Sequence, residues 1–462
     1  MSYRLNWEKL LSSRRPQSSD SQRRATATQS SVDDPDIRTE FEKDYDRIVF
    51  SAPFRRLARK TQVHPLAKND HIHNRLTHSI EVASVGRSLA ARLAVRLQSS
   101  DTISGDQAQN LIWAVRAACL VHDLGNPPFG HAAEEAVRQW TRDHYSEIFE
   151  WNPGEGVRPL FETEAERQGT IADWLNAEGN ANGFRFASRK DVQLVSYLNL
   201  THATLAAAVK YPWTSSDPRA AKKGKHNVYS TEREIFLEMA EDLGLRGNDG
   251  SVCRHPLSFL TEAADDICYR ILDLEDAVEL KIESHDNIRQ LLCEITGVEL
   301  QVNTNLHYLR AVAIGKLTSK LWQVFESDFE NIMNGQREAD LKSSLDSQTN
   351  DQLARIKEIY TNIFSDPKKM ALEIGCYHIL GRILDELLKT VKAIHLAPSF
   401  EELPFLSRRC AELAWTREYT KQHFDKSYAW WLSQMLDFVN GMTDDYAASI
   451  SSQISGHSRF DW

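Results

Sequence analysis

Apolar residues recur along this chain at intervals of three and four, the period of helices that bury one side. Leu111, Ile112, Val115, Ala118 and Cys119 follow that spacing and carry a predicted helix to His122 and Asp123. Gly125 and then Pro127-Pro128 stop it, because proline lacks an amide donor and restricts the residue before it. Gly130 restarts a helix, which sets His131 and Glu134 three apart on one face. A long helix is predicted from His73 to Leu97, with Leu76, Ile80, Val82, Ala83, Val85, Leu89 and Leu93 on its buried side. Arg75 and His78 share a face with Val82 and lean toward the core. A third patterned segment, 256–281, holds Asp265, Tyr269 and Asp273 at i, i+4 and i+8, one stripe along the cylinder. Ile267, Ile271, Leu272 and Leu274 flank that stripe so closely that a cleft is favoured over a solvated face.

The rest of the chain continues in the same style. Residues 1–10 predict a short helix, and 11–35, rich in Ser, Arg, Gln and Thr without apolar period, predict a mobile loop or arm. Helical pattern resumes at Asp36 and runs through RTEFEKDYDRIVFSAPFRRLARKTQV to a turn around Asn69-Asp70. After a loop over 150–160 come a helix near Thr163 to Ala177, a Gly/Asn break at EGNANG, and a helix from about Asp191 to Lys210. Residues 212–228 predict a surface loop, and beyond about 285 helix follows helix. Trp415, Trp430, Trp431 and Trp462 read as core or subunit contact. The expected division is 1–35 as an N-terminal helix and arm, 36–285 as a catalytic core, and 286–462 as a C-terminal helical region packed on the core and in oligomer contacts.

Composition adds exclusions. At 462 residues, with only 20 Gly and 14 Pro, the chain is long enough for a real core and reads as all-α. No apolar run approaches the roughly 20 residues that span a bilayer, and the N-terminus has no apolar signal core. Six scattered cysteines, with Cys119, Cys268 and Cys376 inside apolar patterns, read as reduced core residues of a cytoplasmic protein. A net charge of −10 argues against a general DNA-coating role. Local clusters (Arg55, Arg56, Arg59 and Lys60; Lys222, Lys223 and Lys225) fit solvated faces or an anion pocket.

An adjacent His-Asp pair at a helix C-terminus sits where the backbone dipole favours a cation. Alone, such a dipeptide is more often a buried hydrogen bond. Taken with His78 and Asp265, it makes two imidazoles and two carboxylates from different helices, a set suited to Mn²⁺, Mg²⁺ or Fe²⁺.

At this point several longer strings become specific. DYDRIVFSAPFRRLARKTQV, NRLTHSIEV, HDLGNPPFGHAAEEA, LNLTHATLAAAVKYPW and FLTEAADDICYRILDLEDA occur in order between about residues 38 and 281. Together the chain resembles the dGTP triphosphohydrolase family of the HD phosphohydrolase superfamily. The resemblance implies an all-helical HD-domain fold with an additional C-terminal helical region. It implies hydrolysis of deoxynucleoside triphosphates, with dGTP preferred, to deoxynucleoside and inorganic triphosphate. His78, His122, Asp123 and Asp265 match the family's metal ligands; Asp265 is chosen over Asp266 because it stands four before Tyr269. His131 and Glu134 match its catalytic pair. Gln62 and Asp273 match readers of the 3′-hydroxyl, and Tyr269 matches a residue packed on the sugar. Arg75 matches an α-phosphate arginine, Lys210 and Tyr211 a phosphate-contacting pair, and Lys225, more loosely, a further phosphate lysine.

Two strings depart from the family pattern: FETEAERQG from Phe161 stands where a FEGNAQ-like string is expected, and KHNVY from Lys225 where a KFGYF-like string is. The rival readings are another HD nucleotidase or phosphodiesterase, or a non-catalytic nucleotide or nucleic-acid sensor. Homo-oligomers, and a nucleotide or single-stranded DNA effector, are also implied by the resemblance.

Overall fold

The computed structural model describes residues 4–16, 37–62, 72–189, 198–301, 305–364 and 367–457. The chain is all-α. Among the described residues there is no strand, only three isolated bridges such as Thr61 to Asn74.

The centre is a helical hairpin. Helix α1 (Arg75–Ser99) begins at Asn74, whose side chain accepts from the amides of Leu76 and Thr77 in a capping box. Helix α2 (Gly105–Val121) is capped the same way by Ser104 and Gln107. Five residues join them, so they pack as antiparallel neighbours. Leu89, Leu93, Leu111 and Val115 are fully buried between them and adjacent helices; each stabilises the fold by roughly 1.5–3 kcal/mol. Ile80, expected on this buried side, is half exposed. It stands two residues from His78, about 200° round the cylinder, so it faces away from the hairpin.

Helix α3 (His131–Asp143) leaves the turn after α2, and α4 (Glu164–Leu175) packs on it. Helix α5 (Gly179–Ser188) occupies the stretch expected to be a break. EGNANG starts a helix because Glu178 caps it, accepting from the Asn180 amide. Helix α6 (His202–Ala208) begins only at Thr201, its cap, after Asn199 at φ +47°. The helix expected from Asp191 is therefore shorter where described, and 190–197 lie outside the described residues. Helix α7 (Pro256–Glu279), with Pro256 in its first turn after the His255 cap, packs across α1, α2 and α6.

Residues 212–228 are not a surface loop. They hold a short helix (Pro218–Lys223), and His226, Asn227 and Val228 are buried. Asn227 hid this because its burial is satisfied by hydrogen bonds from the Lys210 and Tyr211 amides, not by apolar packing. Residues 11–16 are likewise built in. Arg15 pairs with Asp44 at 2.6 Å and with Glu40 at 2.8 Å, and Leu11 is buried. The remainder of the expected arm (17–35), the Asn69-Asp70 turn and Trp462 lie outside the described residues.

Two hydrophobic cores result. The first runs from Leu5 to Ile356 around the α1–α2 hairpin and α7. The second joins α3 and α4 to the C-terminal helices α8 (Pro367–Leu396), α9 (Tyr428–Gly441) and α10 (Asp444–Ile454). Trp415 and Trp431 are buried in this second core, with Trp430 against them. The turn from Asp123 to Gly130 lies where the chain passes from the first core to the second.

Candidate metal and phosphate site

Three helices converge on one point. His122 is the C-cap residue of α2, His78 lies one turn into α1, and Asp265 lies near the middle of α7. One ligand atom each from His78, His122 and Asp123 lie within 4.8 Å of one another. Asp265 Oδ1 is 3.1 Å from His78 Nε2 and 3.5 Å from His122 Nε2. Asp123 Oδ1 is 3.6 Å from His122 Nε2.

The surroundings prepare these atoms for a cation. His122 Nδ1 is 2.6 Å from the Cys119 carbonyl, so the proton belongs on Nδ1 and the Nε2 lone pair faces the carboxylates. That Nε2 is buried and, among the described residues, has no hydrogen-bond partner of normal geometry. Burial alone would lower the His122 pKa, but Asp123 and Asp265 overcome it and raise it, a field that favours positive charge at this point. Each carboxylate spends its other oxygen on a fixed cation: Asp123 Oδ2 on Arg75 at 2.9 Å, Asp265 Oδ2 on Lys210 at 2.5 Å. Burial opposes ionisation of Asp265, yet Lys210 and His122 hold it well below the usual carboxylate range. Two neutral imidazoles and two ionised carboxylates fit a borderline-hard divalent ion. Asp266, the rejected neighbour, turns outward to Lys342 at 2.9 Å.

Beside this centre stands the His131–Glu134 pair. His131 Nδ1 is 3.0 Å from Glu134 Oε2, and the imidazole is 79% exposed. Glu134 is buried, and its Oε1 accepts from the Gly179 amide at 2.9 Å. Burial would raise the Glu134 pKa; the His131 hydrogen bond, the Lys225 charge and the Gly179 amide bring it down to about 2. An ionised carboxylate only accepts, so Nδ1 of His131 is the donor and Nε2 faces outward.

Lys225 reaches this pair. Its Nζ is 2.5 Å from Glu178 and 3.5 Å from Glu134. Of the two carboxyls sharing it, Glu178 is pushed up by burial and by Glu134. The backbone amides of Lys210 and Tyr211 both donate to Asn227 Oδ1, which fixes that pair from behind. Tyr269 is partly buried and Asp273 fully so on α7, on the same side as Asp265. Gln62 follows the Thr61–Asn74 bridge, its buried Oε1 without a hydrogen-bond partner among the described residues. A surface cleft lined by Arg4, Lys9 and Arg246 shares no residue with this site.

Glu178, Gly179 and Asn227 line the candidate site, as does Asn126, whose side-chain amide donates to Asp123 Oδ1, although no role was expected of them. A signal existed for the first two: AEGNANG at 177–183 is a better match to the FEGNAQ-like string than the segment at Phe161. The structure puts it against Glu134, whereas Glu162 and Glu164 at the other segment are exposed. Gly125 makes the approach possible. A methyl group there would sit 1.9 Å from the Gly183 nitrogen and 2.5 Å from the Gly179 carbonyl oxygen.

The HD domain family model matches residues 75–177. A deoxyguanosinetriphosphate triphosphohydrolase-like protein of Pseudomonas aeruginosa is 37% identical, covering 91% of this chain and 94% of its own length. One from Synechocystis is 34% identical over the same shares. A deoxyguanosinetriphosphate triphosphohydrolase of Yersinia enterocolitica is 30% identical, covering 90% and 94%. With an HD domain placed over the paired imidazoles and relatives this similar along nearly their whole length, the chain belongs to the deoxyguanosinetriphosphate triphosphohydrolase family of HD-domain proteins.

Proposed function

We propose that this protein hydrolyses deoxynucleoside triphosphates, dGTP foremost, to the deoxynucleoside and inorganic triphosphate. The observation that carries the reading is the convergence of His78, His122, Asp123 and Asp265 beside the exposed His131 and buried Glu134. A divalent ion held by the four ligands would acidify water and draw charge from the phosphoryl oxygens; Mn²⁺, Mg²⁺ and Fe²⁺ all suit the donor set. Glu134 holds Nδ1 of His131, leaving Nε2 to exchange a proton with water or the departing 5′-oxygen. Arg75, Lys210 and Lys225 supply positive charge to the polyphosphate. Tyr269 packs against C2′ and turns away a ribose hydroxyl by crowding. Asp273 and Gln62 accept or donate to the 3′-hydroxyl.

Self-association through the C-terminal helices belongs to the same proposal, as does a nucleotide or single-stranded DNA effector. Among the described residues no helix is long and apolar enough to cross a membrane. The test is incubation with each of the four dNTPs, with and without Mn²⁺. Inorganic triphosphate from dGTP supports the reading. Diphosphate or orthophosphate as the first product favours another HD nucleotidase, and binding without any product favours a sensor.

A further inference from the structure

Asp444, the first residue of α10, reaches across from the second core and grips two segments of the site. Its Oδ2 accepts from the Thr61 amide at 3.1 Å and from the Thr61 hydroxyl at 2.6 Å. Its Oδ1 accepts from the Phe129 amide at 2.9 Å. The carboxylate is 2% exposed, so all three bonds are made away from water, where an ionised acceptor is strong.

What it grips matters. Phe129 has φ +64° and Gly130 φ +63°, two left-handed residues in succession directly before His131. A bulky side chain in that region is strained and persists only where its surroundings hold it. Thr61 stands next to Gln62, whose buried Oε1 has no hydrogen-bond partner among the described residues. Lys60 completes the clasp from the same side: its Nζ donates to the Asn126 and Asn440 carbonyls, each at 2.6 Å. One carboxylate thus ties the strained turn that launches His131 to the segment that carries Gln62.

We infer that Asp444 is a positioning residue of the C-terminal region that sets the catalytic turn and the sugar-reading segment in register, so that proton transfer at His131 and recognition of the 3′-hydroxyl depend on the same side chain. This rests on the function proposed above. A purely structural Asp444 would affect stability but would leave sugar selectivity alone.

The test compares wild type with Asp444→Asn and Thr61→Val, measuring kcat and KM for dGTP and its 2′,3′-dideoxy analogue, Mn²⁺ affinity and thermal midpoint. An asparagine turns an N–H toward one of the gripped donors, so kcat should fall at least ~10-fold, the usual scale for misplaced catalytic groups. The dGTP preference over the dideoxy analogue should also shrink several-fold, roughly the loss of one hydrogen bond, with Mn²⁺ affinity held. Thr61→Val removes only the hydroxyl; it should reduce that preference while kcat stays near wild type. If Asp444→Asn does not fold, Thr61→Val decides. A lower midpoint with unchanged selectivity in the folded variants overturns the inference while leaving the proposed function intact. Wild type that yields no triphosphate from any dNTP overturns both.

Discussion

The Gly179 amide donates to Glu134 Oε1 over 2.9 Å, so the start of helix α5 is aimed at the carboxylate that holds His131. The approach depends on Gly125, which backs directly onto the Gly179–Gly183 turn. Gly125→Ala places a methyl group against backbone that cannot rotate aside. It should cost about 1–3 kcal/mol as an overpacked core position. Turnover should fall much further than that suggests, by ~100-fold or more, because Glu134 and His131 lose their placement. Thermal melts and a triphosphate-release assay on the same preparation separate the two effects.

His131 and Asp123 should behave differently when removed. The exposed His131 imidazole pairs with Glu134, whereas Asp123 faces His122 and Arg75 in the buried centre. His131→Ala should keep Mn²⁺ binding and lose ~10²–10⁴-fold in kcat, the span of general acid–base catalysis. Asp123→Ala should lose both metal and turnover. Calorimetric Mn²⁺ titration of the two variants checks this, and equal metal loss would contradict the division of roles.

Neighbouring aspartates on α7 give a sharper contrast. Asp265 faces both imidazoles and Lys210, while Asp266 pairs with Lys342 on a partly exposed side. Asp265→Asn should weaken Mn²⁺ binding ~10-fold or more. Asp266→Asn should leave it unchanged and cost at most ~1 kcal/mol of stability. Metal affinity measured on both variants decides which residue faces the ion.

His73 makes stability depend on pH. Burial would lower its pKa, but hydrogen bonds and charge from Asp276 and Glu81 raise it to about 10. A folded value above the unfolded one (near 6.5) means the folded state holds the proton more tightly. The contribution is fully present below about 6.5 and fades as pH rises through about 10. Wild type should therefore exceed His73→Gln in melting temperature most at pH 6, and the gap should close by about pH 10.5. A gap that widens with pH would contradict the assignment.

Much of the site was legible because its residues sit on long, regularly patterned helices. The period that buries Val82 also aims His78 inward, and Asp265 shares a face with buried Thr261 and Cys268 in the same way. Helix α2 ends ahead of Gly125 and Pro127-Pro128, as expected, with His122 as its C-cap. Legibility failed where buried polar groups replace apolar packing. EGNANG looked like a break because its helix is supported by Glu178 and by contact with Gly125, neither of which has a local period. Asn227 was read as part of a surface loop because nothing nearby in sequence indicates the Lys210 and Tyr211 amides it satisfies. Asp444 lies more than 300 residues from both segments it joins, and no pattern along the chain could reveal that pairing.

Cleavage at the α-phosphorus by this constellation leaves a distinct oxygen-isotope signature. Turnover of dGTP with Mn²⁺ in ¹⁸O-labelled water should put one labelled oxygen into the released triphosphate and none into the deoxyguanosine, with Asp123→Ala releasing neither product. Label in the deoxyguanosine, or label appearing first in diphosphate or orthophosphate, would contradict it.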